Sequence, residues 1–197
     1  PDLGGGDVID ELEAYIATVP NGSIIDFGGE SYTISSSIDL TGRSNLIFDG
    51  KGATLTSTAS SSLGYAGSFF YQPNSGTRAT HITIRNFDIV GPNTTPGHMQ
   101  NDEHQHFLGV YGGSYYELDN ITGTGLRGDL AAFTANAQYA WVHDCDIDDV
   151  GRNFVSVVWA SHVMVERNTV GLCGWACMDI EPTSSSNGST MYDIVYR

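Results

Sequence analysis

A strand-sized pattern that returns along most of the chain constrains the fold more than any other feature. Written in register, its copies are Asn45-Leu-Ile-Phe-Asp-Gly50, His81-Ile-Thr-Ile-Arg-Asn86, Tyr115-Tyr-Glu-Leu-Asp-Asn120, Tyr139-Ala-Trp-Val-His-Asp144, His162-Val-Met-Val-Glu-Arg167 and Met191-Tyr-Asp-Ile-Val-Tyr196. Each copy sets two apolar residues two apart, so both point to one face of a strand. Ile82 and Ile84, Tyr116 and Leu118, Ala140 and Val142, and Val163 and Val165 are the clearest pairs, and Phe87, Ile121, Cys145 or Asn168 follows three positions later. The copies start roughly 23 to 36 residues apart, the length of one coil of two or three short strands rather than of a hairpin or a βαβ unit. Further strand-like runs at 106–111, 129–134, 153–158 and 177–181 lie between them, so each coil has at least two sides. An antiparallel sandwich shares this turn-rich composition but gives no reason for one strand pattern to return at near-coil spacing.

One helix precedes the repeats. Val8, Leu12, Tyr15 and Ile16 recur at helical spacing, Asp7 can cap the start, and Asp10, Glu11 and Glu13 suit its N-terminal end. The expected organisation is a segment at 1–20 holding this helix over 7–19, then coils over 21–197. The 197 residues need no more than one domain. Three cysteines cannot close a full disulfide framework, so Cys145 reads as a buried thiol, with at most one bridge among the three.

Charge narrows the partners. Eight basic against 23 acidic residues give a net charge of −15, which repels phosphate backbones and anionic lipid, so nucleic acid is not expected as a partner. No apolar run approaches the roughly 20 residues that cross a bilayer, so membrane insertion is not expected. No signal peptide opens the chain, and Pro1 in place of a methionine points to processing or to part of a longer polypeptide.

The runs Gly22-Ser-Ile-Ile-Asp-Phe27, Tyr32-Thr-Ile34 and Leu46-Ile-Phe-Asp-Gly-Lys-Gly-Ala-Thr-Leu55 resemble the first coils of the right-handed parallel β-helix, or pectin-lyase-like, superfamily. Residues 151–157, 162–168 and 178–182 are similar to coils of bacterial carbohydrate-active proteins and phage tail proteins. The resemblance implies an all-β, right-handed parallel β-helix solenoid with an N-terminal capping helix. It also implies an extracellular, secreted or virion-surface location and a polysaccharide or cell-surface glycan as partner. Residues 191–196 read as the opening strand of a further coil, so the C-terminal end is expected to be incomplete, continued by more chain or covered by a second copy or another chain.

A coil packed with side chains has no interior pocket, so chemistry belongs to outward positions and loops. With Met178 and Ile180 inward, Asp179 and Glu181 point out, about 6.5 to 7 Å apart. Asp129, two coils earlier, adds a third carboxylate roughly 10 Å away, with Arg152 between. Asp129, Arg152, Asp179 and Glu181 are therefore the candidate catalytic set: paired carboxylates about 5 Å apart serve retaining glycosidases, and about 6.5 to 9.5 Å apart inverting ones. Arg152 also suits the carboxylate of a uronate. The bland reading of the pair is a strand ending at Glu181-Pro182 with Asp179 in solvent.

The long insertion at 91–106 carries His98, Asp102, Glu103, His104 and His106, with His104 and His106 on one face when extended. Asp102, His104 and His106 are candidate glycan contacts, as are Tyr111 and Trp159 among the outward aromatics Tyr111, Tyr115, Phe133 and Trp159. No metal site is assigned. Asp144, Asp146 and Asp148 fall short of an EF-hand, because Asp149 and Val155 stand where Gly and Glu are required. No cofactor is required, and surface calcium is the one that the resemblance suggests.

The chain departs from its best-marked relatives. Polygalacturonase-like members carry an Asn-x-Asp, an Asp pair, a Gly-His-Gly and an Arg-x-Lys; this chain has Gly128-Asp129 without a second Asp, and neither of the last two motifs. Pectate-lyase-like members use an arginine or lysine base beside calcium carboxylates, a role open to Arg127 or Arg152. The readings left are a lyase or glycoside hydrolase, a non-catalytic tail or adhesion module that binds receptor glycans, and a structural solenoid in a larger assembly.

Overall fold

Alternating apolar and polar residues become strand after strand in the computed structural model, which describes residues 6–97, 103–182 and 191–197. A helix, α1 (Ile9–Thr18), comes first. It is followed by β1 (Ile24–Asp26), β2 (Ser31–Ile34), β3 (Ile38–Asp39), β4 (Ser44–Ser57), β5 (Phe70–Gln72), β6 (Thr80–Val90), β7 (Leu108–Tyr111), β8 (Ser114–Asp119) and β9 (Thr122–Thr124). Then come β10 (Ala131–Thr134), β11 (Gln138–His143), β12 (Asp146–Val150), β13 (Val155–Val158), β14 (Ser161–Glu166), β15 (Thr169–Cys173), β16 (Met178–Glu181) and β17 (Ile194–Tyr196). A 3-10 segment, Ser61–Gly67, lies between β4 and β5.

Every pairing of these strands is parallel. They form an eleven-stranded sheet, β15-β12-β9-β6-β8-β11-β14-β17 with β4 joined to β6 and β1 and β2 joined to β4, and a six-stranded sheet, β16-β13-β10-β7-β5-β3. The wider sheet bends sharply along one line. Lys51, Asn86, Asn120, Asp144 and Arg167 lie on that line with φ of 52°, 58°, 53°, 54° and 53°, a left-handed conformation that redirects the chain within a single residue.

The expected fold class, a right-handed parallel β-helix solenoid, is corrected. The chain builds two large parallel sheets of unequal width, the wider curved like half a barrel, with two helical segments. The repeat captured spacing but not strand continuity. β4 and β6 run for 14 and 11 residues straight through the bend, where short separate runs were expected.

The core lies between the sheets. The four apolar pairs read from the sequence are at most 3% exposed, and Leu108, Val110, Ala131, Phe133, Val155 and Val157 meet them from the narrower sheet. Phe133, expected to face outward, is thus a core residue. Ile9, Leu12 and Ile16 bury the inner stripe of α1 in the same core. Val8, not Asp7, occupies the N-cap position, while Asp7 accepts the amides of Ile9 (3.2 Å) and Ser35 (3.1 Å).

The last copy of the repeat is shifted by two residues from its expected register: Ile194, not Tyr192, pairs with Val163. A two-residue slip keeps every side chain on its face, so alternation alone cannot detect it. No described helix is long and apolar enough to cross a membrane.

Candidate functional site

The site is built on the corner that leads into the narrower sheet. Ser68, His106, Asp129, Asn153 and Ala176 occupy equivalent places there on successive passes of the chain, and polar side chains link them into a ladder. Ser68 Oγ accepts the His106 amide (3.1 Å), His106 Nδ1 accepts the Asp129 amide (3.0 Å), Asp129 Oδ1 accepts the Asn153 amide (2.9 Å), and Asn153 Oδ1 accepts the Ala176 amide (3.1 Å). Each buried side chain thereby satisfies a backbone donor that the corner takes out of the sheet. Gly128 is needed beside this ladder, because a Cβ there would lie 2.7 Å from His106 Nδ1 and 2.8 Å from Glu103 O.

Beyond the corner, the outward face of the narrower sheet carries two columns. One is Tyr71, Gly109, Ala132, Ser156 and Asp179; the other is Tyr111, Thr134, Val158 and Glu181. The small residues of the first column leave room for a cleft of about 170 Å³. Tyr65, from the 3-10 segment, forms a wall, stacked on His104 at 4.3 Å and edge-on to Tyr111 at 5.0 Å.

Arg152 draws the acidic groups together. Its Nη1 lies 3.3 Å from Asp129, its Nη2 3.7 Å from Asp179 and 3.8 Å from Glu181, and its Nε 3.7 Å from Glu103. The Trp175 ring covers the guanidinium at 5.5 Å. Burial pushes the Asp129 carboxyl up to about 7, against the pull of Arg152. Burial also holds the His106 imidazole down to about 3, with the Arg152 charge adding to it. This agrees with an Nδ1 that accepts a hydrogen bond, since only the neutral ring has an acceptor nitrogen. Glu181 is raised by desolvation and then by the neighbouring Asp179 carboxylate. Desolvation lowers His104 and raises the Tyr111 hydroxyl.

Seven sequence-predicted residues meet here: Asp129, Arg152, Asp179, Glu181, His104, His106 and Tyr111. One expectation about them is corrected. Asp129 is wholly buried rather than an outward carboxylate, because it sits at the corner before β10 and not on the pleat. Trp159 lies outside the cleft, at the corner after β13, with its amide donating to Glu181 O (3.3 Å) and its indole N–H buried with no partner among the described residues. Asp102 and His98 lie outside the described residues. Sequence reasoning missed Tyr65, whose Gly/Ser-rich surroundings carry no strand period.

A second polar cluster lies on the outer face of the wider sheet. Asp119, His143 and Asp144 offer ligand atoms within 4.8 Å of one another, a triad with the donor set for a metal ion. His143 Nδ1 is 2.7 Å from Asp144 and 3.5 Å from Asp119, and its Nε2 is 3.2 Å from Glu117. Arg167 grips Asp144 through Nε (2.9 Å) and Nη2 (2.7 Å), which holds that carboxyl well below the usual range. The triad takes one of the three aspartates read as calcium-like, Asp144; Asp146 and Asp148 both lie on β12 and not in the triad.

No protein-family model matches the chain, and no curated protein matches it in sequence.

Proposed function

We propose that the cleft binds a segment of polysaccharide and hydrolyses it, with Glu181 as proton donor and Asp179 as its carboxylate partner. The observation that carries this reading is the convergence of Asp179 and Glu181 on Arg152 beside an aromatic wall of Tyr65 and Tyr111. Desolvation and then the neighbouring Asp179 raise the Glu181 carboxyl, the direction that a general acid for glycosidic cleavage requires. Asn153 Nδ2 donates to Asp179 (3.3 Å) and orients the partner. Buried Asp129 positions Arg152 and does not reach the sugar.

Hydrolysis is favoured over lyase chemistry by charge. A lyase must neutralise the carboxylate of a uronate, whereas Arg152 here is already faced by Glu103, Asp129, Asp179 and Glu181. The reading therefore names glycans without carboxylates. It includes the extracellular or virion-surface location that the resemblance implies. Calcium is a subordinate part of it: an ion at Asp119 and Asp144 would have to displace Arg167, and calcium takes roughly six to eight oxygen ligands.

One observation supports a non-catalytic tail or adhesion module instead. Arg152 Nη2 stands 3.7 Å from Asp179 and 3.8 Å from Glu181, so one cation engages both carboxylates, which suits a fixed binding surface. A screen of neutral and acidic polysaccharides, followed by reducing ends and by the ultraviolet absorbance of unsaturated uronates, separates the readings. The expected result is reducing ends from a neutral glycan, falling about 100-fold or more in Glu181→Gln and Asp179→Asn while binding persists. Binding without product from any glycan would establish the module.

A further inference from the structure

Cys173 closes β15 and Cys177 immediately precedes β16, and their Sγ atoms lie 3.9 Å apart as free thiols. The three residues between them form the corner that leads to the strand carrying Asp179 and Glu181. That corner is pinned by its backbone: the Gly174 amide donates to Val150 O (3.0 Å), Trp175 to Arg152 O (2.9 Å) and Ala176 to Asn153 Oδ1 (3.1 Å). Because Trp175 also covers the Arg152 guanidinium, the corner is coupled to the group around which the cleft is arranged. Cys177 is exposed, Cys173 is partly buried behind it, and Cys145 is sealed in the core.

We infer that Cys173 and Cys177 are a redox-active dithiol that closes to a disulfide and locks the corner over Arg152. The oxidant is a small-molecule disulfide such as oxidised glutathione. The exposed Cys177 thiolate attacks one sulfur of the oxidant, forms a mixed disulfide and releases one glutathione thiolate. Cys173 then gives up its proton to solvent and attacks Cys177 Sγ, and the second glutathione leaves as its thiolate. Two protein thiols lose two electrons and two protons in all, and the oxidant is reduced to two thiols. Closure draws the sulfurs together to about 2.0 Å. Burial and the neighbouring Cys177 push the Cys173 thiol up to about 12, so the closing step quickens as pH rises. The inference rests on the geometry of the corner and is independent of the proposed glycan chemistry.

Incubation of the whole chain with oxidised glutathione, followed by peptide mapping, tests it. The expected product is a Cys173–Cys177 cross-linked peptide with Cys145 still a thiol, reversed by dithiothreitol, and with slower amide hydrogen exchange at 174–178. Cys173→Ser should instead stop at a stable glutathione adduct on Cys177, which shows that the exposed thiol reacts first and that Cys173 resolves it. A wild-type chain that stops at the Cys177 adduct, or whose Cys173 and Cys177 both stay reduced, would overturn the inference.

Discussion

Asp129 and His106 are adjacent rungs of one ladder, and burial moves their protons in opposite senses. The native Asp129 carboxyl keeps its proton up to about 7, against 3.8 for the ordinary group. Between these values the native state binds a proton that the unfolded chain has lost, so this contribution to stability falls as pH rises. The native His106 ring stays neutral down to about 3, against 6.5 ordinarily, so between those values its contribution rises with pH. The two slopes oppose each other over their shared window, from about pH 4 to 6.5. Asp129→Asn keeps an acceptor for the Asn153 amide and leaves His106 unopposed. Its urea midpoint should therefore climb across that window by more than the wild-type midpoint does, and parallel profiles would mean that Asp129 is ionised in the native protein.

Six runs of the wider sheet have a residue in the left-handed region at or beside their start, Asn45, His81, Tyr115, Tyr139, His162 and Asp193, and four of these are aromatic. His81, Tyr115, Tyr139 and His162 have φ of 56°, 63°, 57° and 54°, and their rings stack at 4.4, 4.8 and 4.3 Å in turn. The stack offsets the backbone cost of the corner, and both faces of Tyr115 and of Tyr139 are taken by neighbouring rings, so these two stabilise the strands rather than offering a platform for sugar. Tyr139→Asn tolerates positive φ but removes two ring contacts, and should lower stability by about 1–2 kcal/mol. Tyr139→Val adds a β-branched side chain in a forbidden region and should cost about 1–3 kcal/mol more. Chemical denaturation of both variants checks the order; equal losses would show that the left-handed corner carries no strain.

Over the whole molecule, 23 acidic residues against 8 basic ones oppose a polyanion, and the cleft repeats that imbalance around Arg152. Neutral glycan should bind with an affinity that changes little with salt, because no counterions are released. Polyuronate should bind more weakly in dilute buffer and gain as salt screens the repulsion. Titration calorimetry at two ionic strengths measures both, and tight polyuronate binding at low salt would contradict the charge argument.

The inward-facing residues were legible because strand alternation is local, although the fold class read from them was not the one observed. Ile82, Ile84, Leu118, Val142 and Val165 show their buried face through period two, and α1 shows its face through Leu12 and Ile16. Asp179 and Glu181 were legible as a pair because residues two apart on one strand share a face, while Arg152 reaches them from the corner before the neighbouring strand. The continuity of β4 and β6 through the bend was not legible, since φ at Lys51 and Asn86 has no sequence period, and neither was the two-residue slip at Ile194. By itself, then, the sequence determined which residues alternate inward, where the repeats recur and what charge the surface carries, all properties of neighbours along the chain. Only the tertiary structure decided that the strands gather into two unequal sheets, that Asp129 is buried beneath the corner, and that Tyr65 closes the cleft. Those facts depend on contacts between residues far apart in sequence, where corner geometry and packing choose among arrangements that the local pattern leaves equal.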